Sequence, residues 1–291
     1  MLGVLGDLVQ DVVVWQHEAT RTATDTSSDI RVQRGGQGAN VATFAAPRYP
    51  TRFIGCVGDD PAGRALVEEM RLTGVDVRTQ VRGTTGVIVV LVDPDGERNM
   101  YPSRGANALL EAVDDAWLAD LEWLHVPGYV FAGGSTRAAA LDAIARVRAH
   151  GCEVSIDTSS VGLISSLGVD AFLDLLERIE PDVVSANRDE ATLLGLADGA
   201  TAGPNLPRLG AGVLLARAGA AATNVYEAGR LLATVEVPPQ TEVRDLTGAG
   251  DAFMAGYLAH RLRNGWDVPG NIEAGHALAA RVLHHPGARE G

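Results

Sequence analysis

The chain has 291 residues, enough for one large α/β domain with a small appendage or equally for two domains, and its 46% apolar and 21% charged residues are typical of a globular protein. A formal net charge of −13 argues against nucleic acid or an anionic membrane as partner, since either would repel the chain. All 24 basic residues are arginine, which excludes a phosphate loop built on lysine and any Schiff-base chemistry.

No segment approaches an unbroken membrane-spanning length, and the start, Met1-Leu2-Gly3-Val4-Leu5-Gly6, has neither a basic region nor a small-residue cleavage site, so a cytoplasmic location is expected. Cys56 and Cys152 lie in apolar, strand-like runs without C-x-x-C spacing and read as buried reduced thiols.

In chain order, residues 3–14 read as one strand interrupted by the acids Asp7 and Asp11. An Asp at the end of a first strand sits where open α/β sheets bind ligands, although a surface turn meets the same pattern. Residues 18–33 are polar and threonine-rich, as suits an exposed strand pair or loop. The run Gly35-Gly36-Gln37-Gly38-Ala39-Asn40 is not G-x-G-x-x-G after a first strand, which disfavours dinucleotide binding. Residues 52–58 form an apolar strand. Asp60 and Pro61 then suit the N-cap and first position of a helix that runs through Leu66, Val67 and Met70 and stops at Gly74. Val87 to Val92 is β-branched, Asp93-Pro94-Asp95-Gly96 is a turn, and Glu97 to Tyr101 returns as a hairpin.

Beyond residue 120 strands and helices alternate. Trp123 to Val126 is a strand, Ser135 caps a helix ending before Gly151, Val154 to Asp157 is a strand, and 169–179 is an amphipathic helix. Asp182 to Ala186 is a further strand, 188–195 a short helix, 198–212 a loop and 212–216 a strand, with a last helix from about Asn271 to Leu283. This alternation predicts a mostly parallel sheet covered on both faces, with function at the carboxyl ends of the strands. Asn187 and Glu190 fall at such an end, three residues apart, a spacing that equally describes a capping box.

The stretch Asp245-Leu246-Thr247-Gly248-Ala249-Gly250-Asp251 runs into the small and apolar residues 252–259. Gly248, Ala249 and Gly250 let the free amides of a helix start approach an anion closely. A carboxylate there, Asp251, would repel a phosphate. It makes sense as the base that takes a proton from an attacking hydroxyl, and the helix end is expected to keep it ionised. An N-capping loop ahead of a buried helix fits the same residues.

Together with Gly35-Gly36-Gln37-Gly38-Ala39-Asn40-Val41-Ala42, this stretch resembles the paired signatures of the ribokinase-like (PfkB) carbohydrate kinases, and the resemblance covers essentially the whole chain. It implies one ribokinase-like α/β domain over 1–291: a mostly parallel central sheet with helices on both faces, plus a small β-sheet lid from about 12–34 and 84–104. The activity implied is ATP-dependent phosphorylation of a hydroxyl of a small sugar or sugar-like substrate, with Asp251 as base and Gly248, Ala249 and Gly250 as anion hole. Asp11, Gly36, Gln37 and Asn40 would bind the acceptor, and Asn187 and Glu190 would help place Mg²⁺. Arg217, Gly219 and His276 would line the nucleotide site, and Asp245 and Thr247 would shape a loop for a monovalent cation, K⁺.

The chain departs from the family pattern at Gln37, where ribokinases often have Lys, and at Ala222, where a second Gly is usual. Arg34, Arg98 and Arg104 either meet an anionic substrate or remain solvated arginines at the lid edge. A nucleoside, phosphosugar or acid-sugar acceptor stays open, as does a non-catalytic sugar- or nucleotide-sensing protein. Pairing of lid strands between two subunits, giving a homodimer, is a further expectation.

Overall fold

The computed structural model describes residues 1–240 and 242–290. Its strands in chain order are β1 (Leu2–Leu5), β2 (Val9–Gln16), β3 (Ser28–Gly35), β4 (Thr51–Val57), β5 (Asp76–Val81), β6 (Gly86–Val92), β7 (Arg98–Ser103), β8 (Trp123–Pro127), β9 (Glu153–Asp157), β10 (Val183–Asn187), the two-residue pair β11 (Ala197–Asp198) and β12 (Thr201–Ala202), β13 (Val213–Arg217), β14 (Thr223–Glu227) and β15 (Arg230–Val235). The helices are α1 (Gln37–Ala45), α2 (Pro61–Leu72), α3 (Asp115–Leu118), α4 (Gly134–Ala149), α5 (Val161–Leu167), α6 (Val169–Ile179), α7 (Arg188–Leu193), α8 (Ala249–Asn264) and α9 (Val268–Leu283).

A nine-stranded sheet has the order β15-β14-β13-β10-β9-β8-β1-β4-β5. From β13 to β5 every pairing is parallel, and β14 and β15 close one edge antiparallel. Successive strand residues feed opposite faces, which gives two cores. One is built on α4 to α7 with Val184 and Ala186, the other on α1, α2, α8 and α9 with Val183. Helix α6 has the expected bounds because Phe172, Leu173, Leu176 and Ile179 form one buried stripe; each such side chain stabilises by roughly 1.5–3 kcal/mol. Asp60 caps α2 as expected, accepting from the Gly63 amide at 2.8 Å.

Several expectations are corrected. Residues 3–14 are two strands in different sheets, because Asp7 leaves the strand to receive helix α1: its carbonyl accepts from the Ala39 amide at 3.1 Å and its Oδ1 from the Gly38 amide at 3.1 Å. Ser135 lies inside α4, whose N-cap is Gly133, and its hydroxyl reaches the Ala108 carbonyl at 3.4 Å. The 198–212 stretch is pinned by the β11–β12 pair and by a 3-10 turn that buries Leu206 and Leu209. The strands β5, β14 and β15 were not anticipated from the sequence.

A separate four-stranded sheet, order β3-β2-β6-β7, carries both segments expected to form the lid. Its register puts Asp11, paired with Ile88, and Arg98, paired with Val92, on one face. The other face shows Val12, Val14, Ile30, Val32, Val89 and Tyr101. Among the described residues no helix is long and apolar enough to cross a membrane.

Candidate active site

Helix α8 buries every residue from Ala252 to Ala259, which anchors it and fixes where its N-terminus points. Gly248 is the N-cap, and the first α-helical bond runs from the Ala252 amide to the Gly248 carbonyl at 2.8 Å. The Gly250 and Asp251 amides precede that ladder and remain donors for an anion, while the Ala249 amide already reaches the Leu246 carbonyl at 3.3 Å. Gly250 lets the helix start and Arg217 approach closely: a Cβ there would stand 2.5 Å from Arg217 Nη1 and push the guanidinium aside. A guanidinium from the end of β13 therefore lies against the helix start, adding a full positive charge to its partial one.

Asp251 keeps a partly exposed surface toward the cleft. Its Oδ2 accepts from Asn40 Nδ2 at 2.8 Å, and Asn40 Oδ1 accepts from Arg34 Nη1 at 2.8 Å. Arginine has donors only, so Arg34 dictates which way the Asn40 amide faces. Arg34 is 8% exposed and pairs with Glu69 at 3.4 Å. Burial pushes the Asp251 carboxyl up to about 8, with Asp157 and Asp7 adding repulsion, against the Asn40 bond and the Arg217 charge. The ionised form that the helix end was expected to favour is thus opposed by desolvation.

On the acceptor side, Gly36 has φ of 101°, and a Cβ there would meet the Asp7 carbonyl at 2.5 Å, so only glycine makes this turn into α1. Burial pushes Asp11 up to about 7 with Asp7 repelling it, and among the described residues its buried Oδ1 has no hydrogen-bond partner. An orphaned buried acceptor suits the hydroxyl donors of a polyol. Gln37, expected at the acceptor, also ties α1 to the end of β9: its Nε2 donates to Asp157 Oδ1 at 2.8 Å and its Oε1 accepts from Ser159 Oγ at 2.6 Å. Arg104 donates to the Tyr129 carbonyl and lies near Asp7.

Asp157 is the residue that the sequence reading overlooked. It is 2% exposed, holds Gln37, and accepts from Arg217 Nη2 at 2.9 Å through its other oxygen. The signal was present, an acid closing the strand Val154-Ser155-Ile156-Asp157 at the carboxyl edge of the sheet.

Asn187 and Glu190 form both halves of a capping box: Asn187 Oδ1 accepts from the Glu190 amide at 2.9 Å, and Glu190 Oε2 from the Asn187 amide at 2.9 Å. Glu190 Oε2 also accepts from Thr158 Oγ1 at 2.6 Å, and Oε1 from Asn187 Nδ2 at 2.6 Å. Glu190 is 2% exposed and, among the described residues, no cluster of three or more acidic, His or Cys side chains could hold a metal alone. Burial, with Asp157 beside it, raises the Glu190 carboxyl, as Asp157 also helps to raise Asp251. That all-oxygen set fits Mg²⁺ carried mainly by phosphates and water, with Asn187 and Glu190 behind the water.

A pocket of ≈ 340 Å³ opens on the other side of the helix start, where Ala249, Gly250, Arg217 and Asn187 meet the apolar Val243, Phe253 and Leu283. Gly219 and His276 line it too. His276 is 6% exposed, shares a 2.9 Å hydrogen bond with Thr223 Oγ1, stacks at a tilt on Phe253 and has its pKa lowered by burial, so it presents a neutral ring. A slot with one apolar end and one cationic, amide-rich end matches a nucleotide.

Asp245 and Thr247 do not fit a monovalent cation in this arrangement. Asp245 Oδ1 accepts from the Thr247 amide at 2.9 Å and from Thr247 Oγ1 at 2.8 Å, and its Oδ2 accepts from the Gly287 amide at 2.9 Å. Arg98 reaches the same oxygens from the small sheet.

A family model described as pfkB family carbohydrate kinase matches residues 1–291. The aminoimidazole riboside kinase of Salmonella typhimurium is 31% identical over 273 residues, 87% of this chain and 79% of that protein. A fructokinase of Klebsiella pneumoniae is 30% identical over 287 residues, 93% of this chain and 87% of its own. In three dimensions, an E. coli protein described as a candidate ribokinase II, solved with ATP and Mg²⁺, matches with a TM-score of 0.83 at 23% identity, over 100% of this chain and 94% of that one.

Proposed function

The chain belongs to the pfkB family of carbohydrate kinases, and on that footing we propose that it moves the terminal phosphoryl group of ATP onto a hydroxyl of a small sugar or sugar-like acceptor. The observation that carries the reading is the hydrogen bond from Asn40 to Asp251, which joins the acceptor side of the cleft to a carboxylate on the very helix start that offers amides to the nucleotide pocket.

The acceptor lies against Asp11 and Asn40 with its hydroxyl at Asp251. Ionised Asp251 takes the hydroxyl proton as the acceptor oxygen bonds to the terminal phosphorus, and the bond from phosphorus to the bridging oxygen breaks, its electron pair leaving on ADP. The Gly250 and Asp251 amides and the Arg217 guanidinium face the oxygens of the phosphoryl group in transit. Asn187 and Glu190 are the residues that would hold Mg²⁺ through water, and the ion would supply positive charge to balance that of the leaving diphosphate. A pKa near ambient pH is what general-base efficiency favours, so the raised carboxyl of Asp251 suits the task. The small sheet covers the acceptor and keeps water from competing for ATP.

A riboside is the second acceptor class, because the 31% identical relative is named for one. We also place a second copy of the chain on the outer face of the small sheet, where Ile30, Val32 and Tyr101 are 62, 59 and 58% exposed. Light scattering that gives the monomer mass at micromolar protein would remove that assignment.

The test is ADP release from Mg-ATP against pentoses, hexoses, keto-deoxy acids, sugar phosphates and nucleosides, with Asp251→Asn in parallel. Turnover on one class, lost by about 10²–10⁴-fold in the variant, is the expected result. No turnover on any class, with equal ligand binding by both proteins, would leave a sensor as the reading.

A further inference from the structure

We propose that Arg98, from the small sheet, is the built-in cation of the Asp245–Asp251 turn: its guanidinium holds the turn in its phosphoryl-receiving shape and stands where a dissociable monovalent cation would otherwise be needed. Nη1 donates to Thr247 Oγ1 at 2.8 Å and Nη2 to Asp245 Oδ1 at 2.9 Å, so the planar fork spans both residues at once.

Asp245 is 9% exposed, and a carboxylate so enclosed requires a compensating charge. Its other donors, the Thr247 amide and hydroxyl and the Gly287 amide, are all neutral. Among the described residues Arg98 is the only side chain forming an ion pair with it. A monovalent ion on the same oxygens would sit against the guanidinium and be repelled.

Arg98 begins β7, the outer strand of the small sheet, and is 147 residues distant from Asp245 in sequence. Only a formed and closed small sheet brings the two together. If β7 swings away, Asp245 loses its cation and Thr247 its donor, directly ahead of Gly248. Covering the acceptor and shaping the anion hole thus become one event, and ATP meets a complete site only when the acceptor is enclosed. Arg98 touches no reacting atom, so it is a positioning residue.

The kinetic part of the test rests on the phosphotransfer reading, and the thermal part does not. Wild type, Arg98→Ala and Arg98→Lys are compared in KCl and in tetramethylammonium chloride at equal ionic strength, for Tm of the protein alone and for kcat and KM on the acceptor that the ADP-release assay selects. Wild type should show no K⁺-specific rise in Tm and rates equal within about twofold in the two salts, whereas Arg98→Ala should lose about tenfold or more in kcat without K⁺, the worth of one charge-assisted hydrogen bond. K⁺ should restore part of that loss and add a K⁺-specific rise in Tm to the Ala variant, while Arg98→Lys, which keeps the charge without the fork, should fall between and ignore K⁺. A K⁺-specific Tm rise or rate increase in wild type would overturn the proposal, as would an Arg98→Ala enzyme with wild-type kcat in tetramethylammonium. The wild-type comparison decides the matter even if neither variant folds.

Discussion

Asn40 donates to Asp251 across 211 residues of sequence, and Arg34, held on the far side of the same amide, fixes the direction of that donation. The carboxylate expected to act as base is therefore held by the first turn of α1, through an Asn40 amide that a buried guanidinium orients.

The first prediction concerns pH. A base must be unprotonated, and Asp251 is pushed up to about 8, so kcat/KM should rise with pH through that value and level off above it. Stability should move the other way. The folded carboxyl lies above its ordinary value of 3.8, so its contribution is fully present below that value and is lost as pH rises through about 8. Asp251→Asn cannot acquire the charge, and its Tm advantage over wild type should grow between about pH 5 and about pH 9. Calorimetry at both ends checks this, and a constant difference would contradict it.

The second prediction concerns Arg34. Arg34→Met keeps an unbranched buried chain but frees the Asn40 amide to turn over. We expect acceptor kcat/KM to fall about tenfold or more, with KM for ATP less affected. The Arg34 charge also lowers the Asp11 carboxyl, which burial holds at about 7, so the pH dependence of acceptor KM should shift to higher pH in the variant. An unshifted profile would mean that Arg34 is only structural.

The third prediction concerns Gly250. In Gly250→Ala the new Cβ would stand 2.5 Å from Arg217 Nη1, the movable end of a long side chain, so the protein should fold while the guanidinium shifts off the helix start. KM for ATP should rise about tenfold with the acceptor KM nearly unchanged. Isothermal titration with ADP measures the same loss without turnover.

Where local physics decides, the sequence was legible. Asp60 ahead of Pro61 marks the start of α2, the stripe of Phe172, Leu173, Leu176 and Ile179 marks α6, and the small residues after Asp251 mark a helix that must be buried. Those signals depend on neighbours three or four positions apart. The capping spacing of Asn187 and Glu190 was equally visible, and both halves of the box are formed.

The sequence by itself determined the family, the alternating elements and the residues at the helix start. Tertiary structure alone decided what faces that start: Asp157 between Gln37 and Arg217, Arg34 behind Asn40, and Arg98 on Asp245. Arg34 and Asn40 are six residues apart, a spacing that no helix or strand rule pairs, and the other contacts span 60 to 147 residues, so nothing along the chain announces them. The charge state of Asp251 belongs to the same class: the sequence displays the helix dipole that favours ionisation but not the surrounding protein that removes water, and the loss of water is the larger effect.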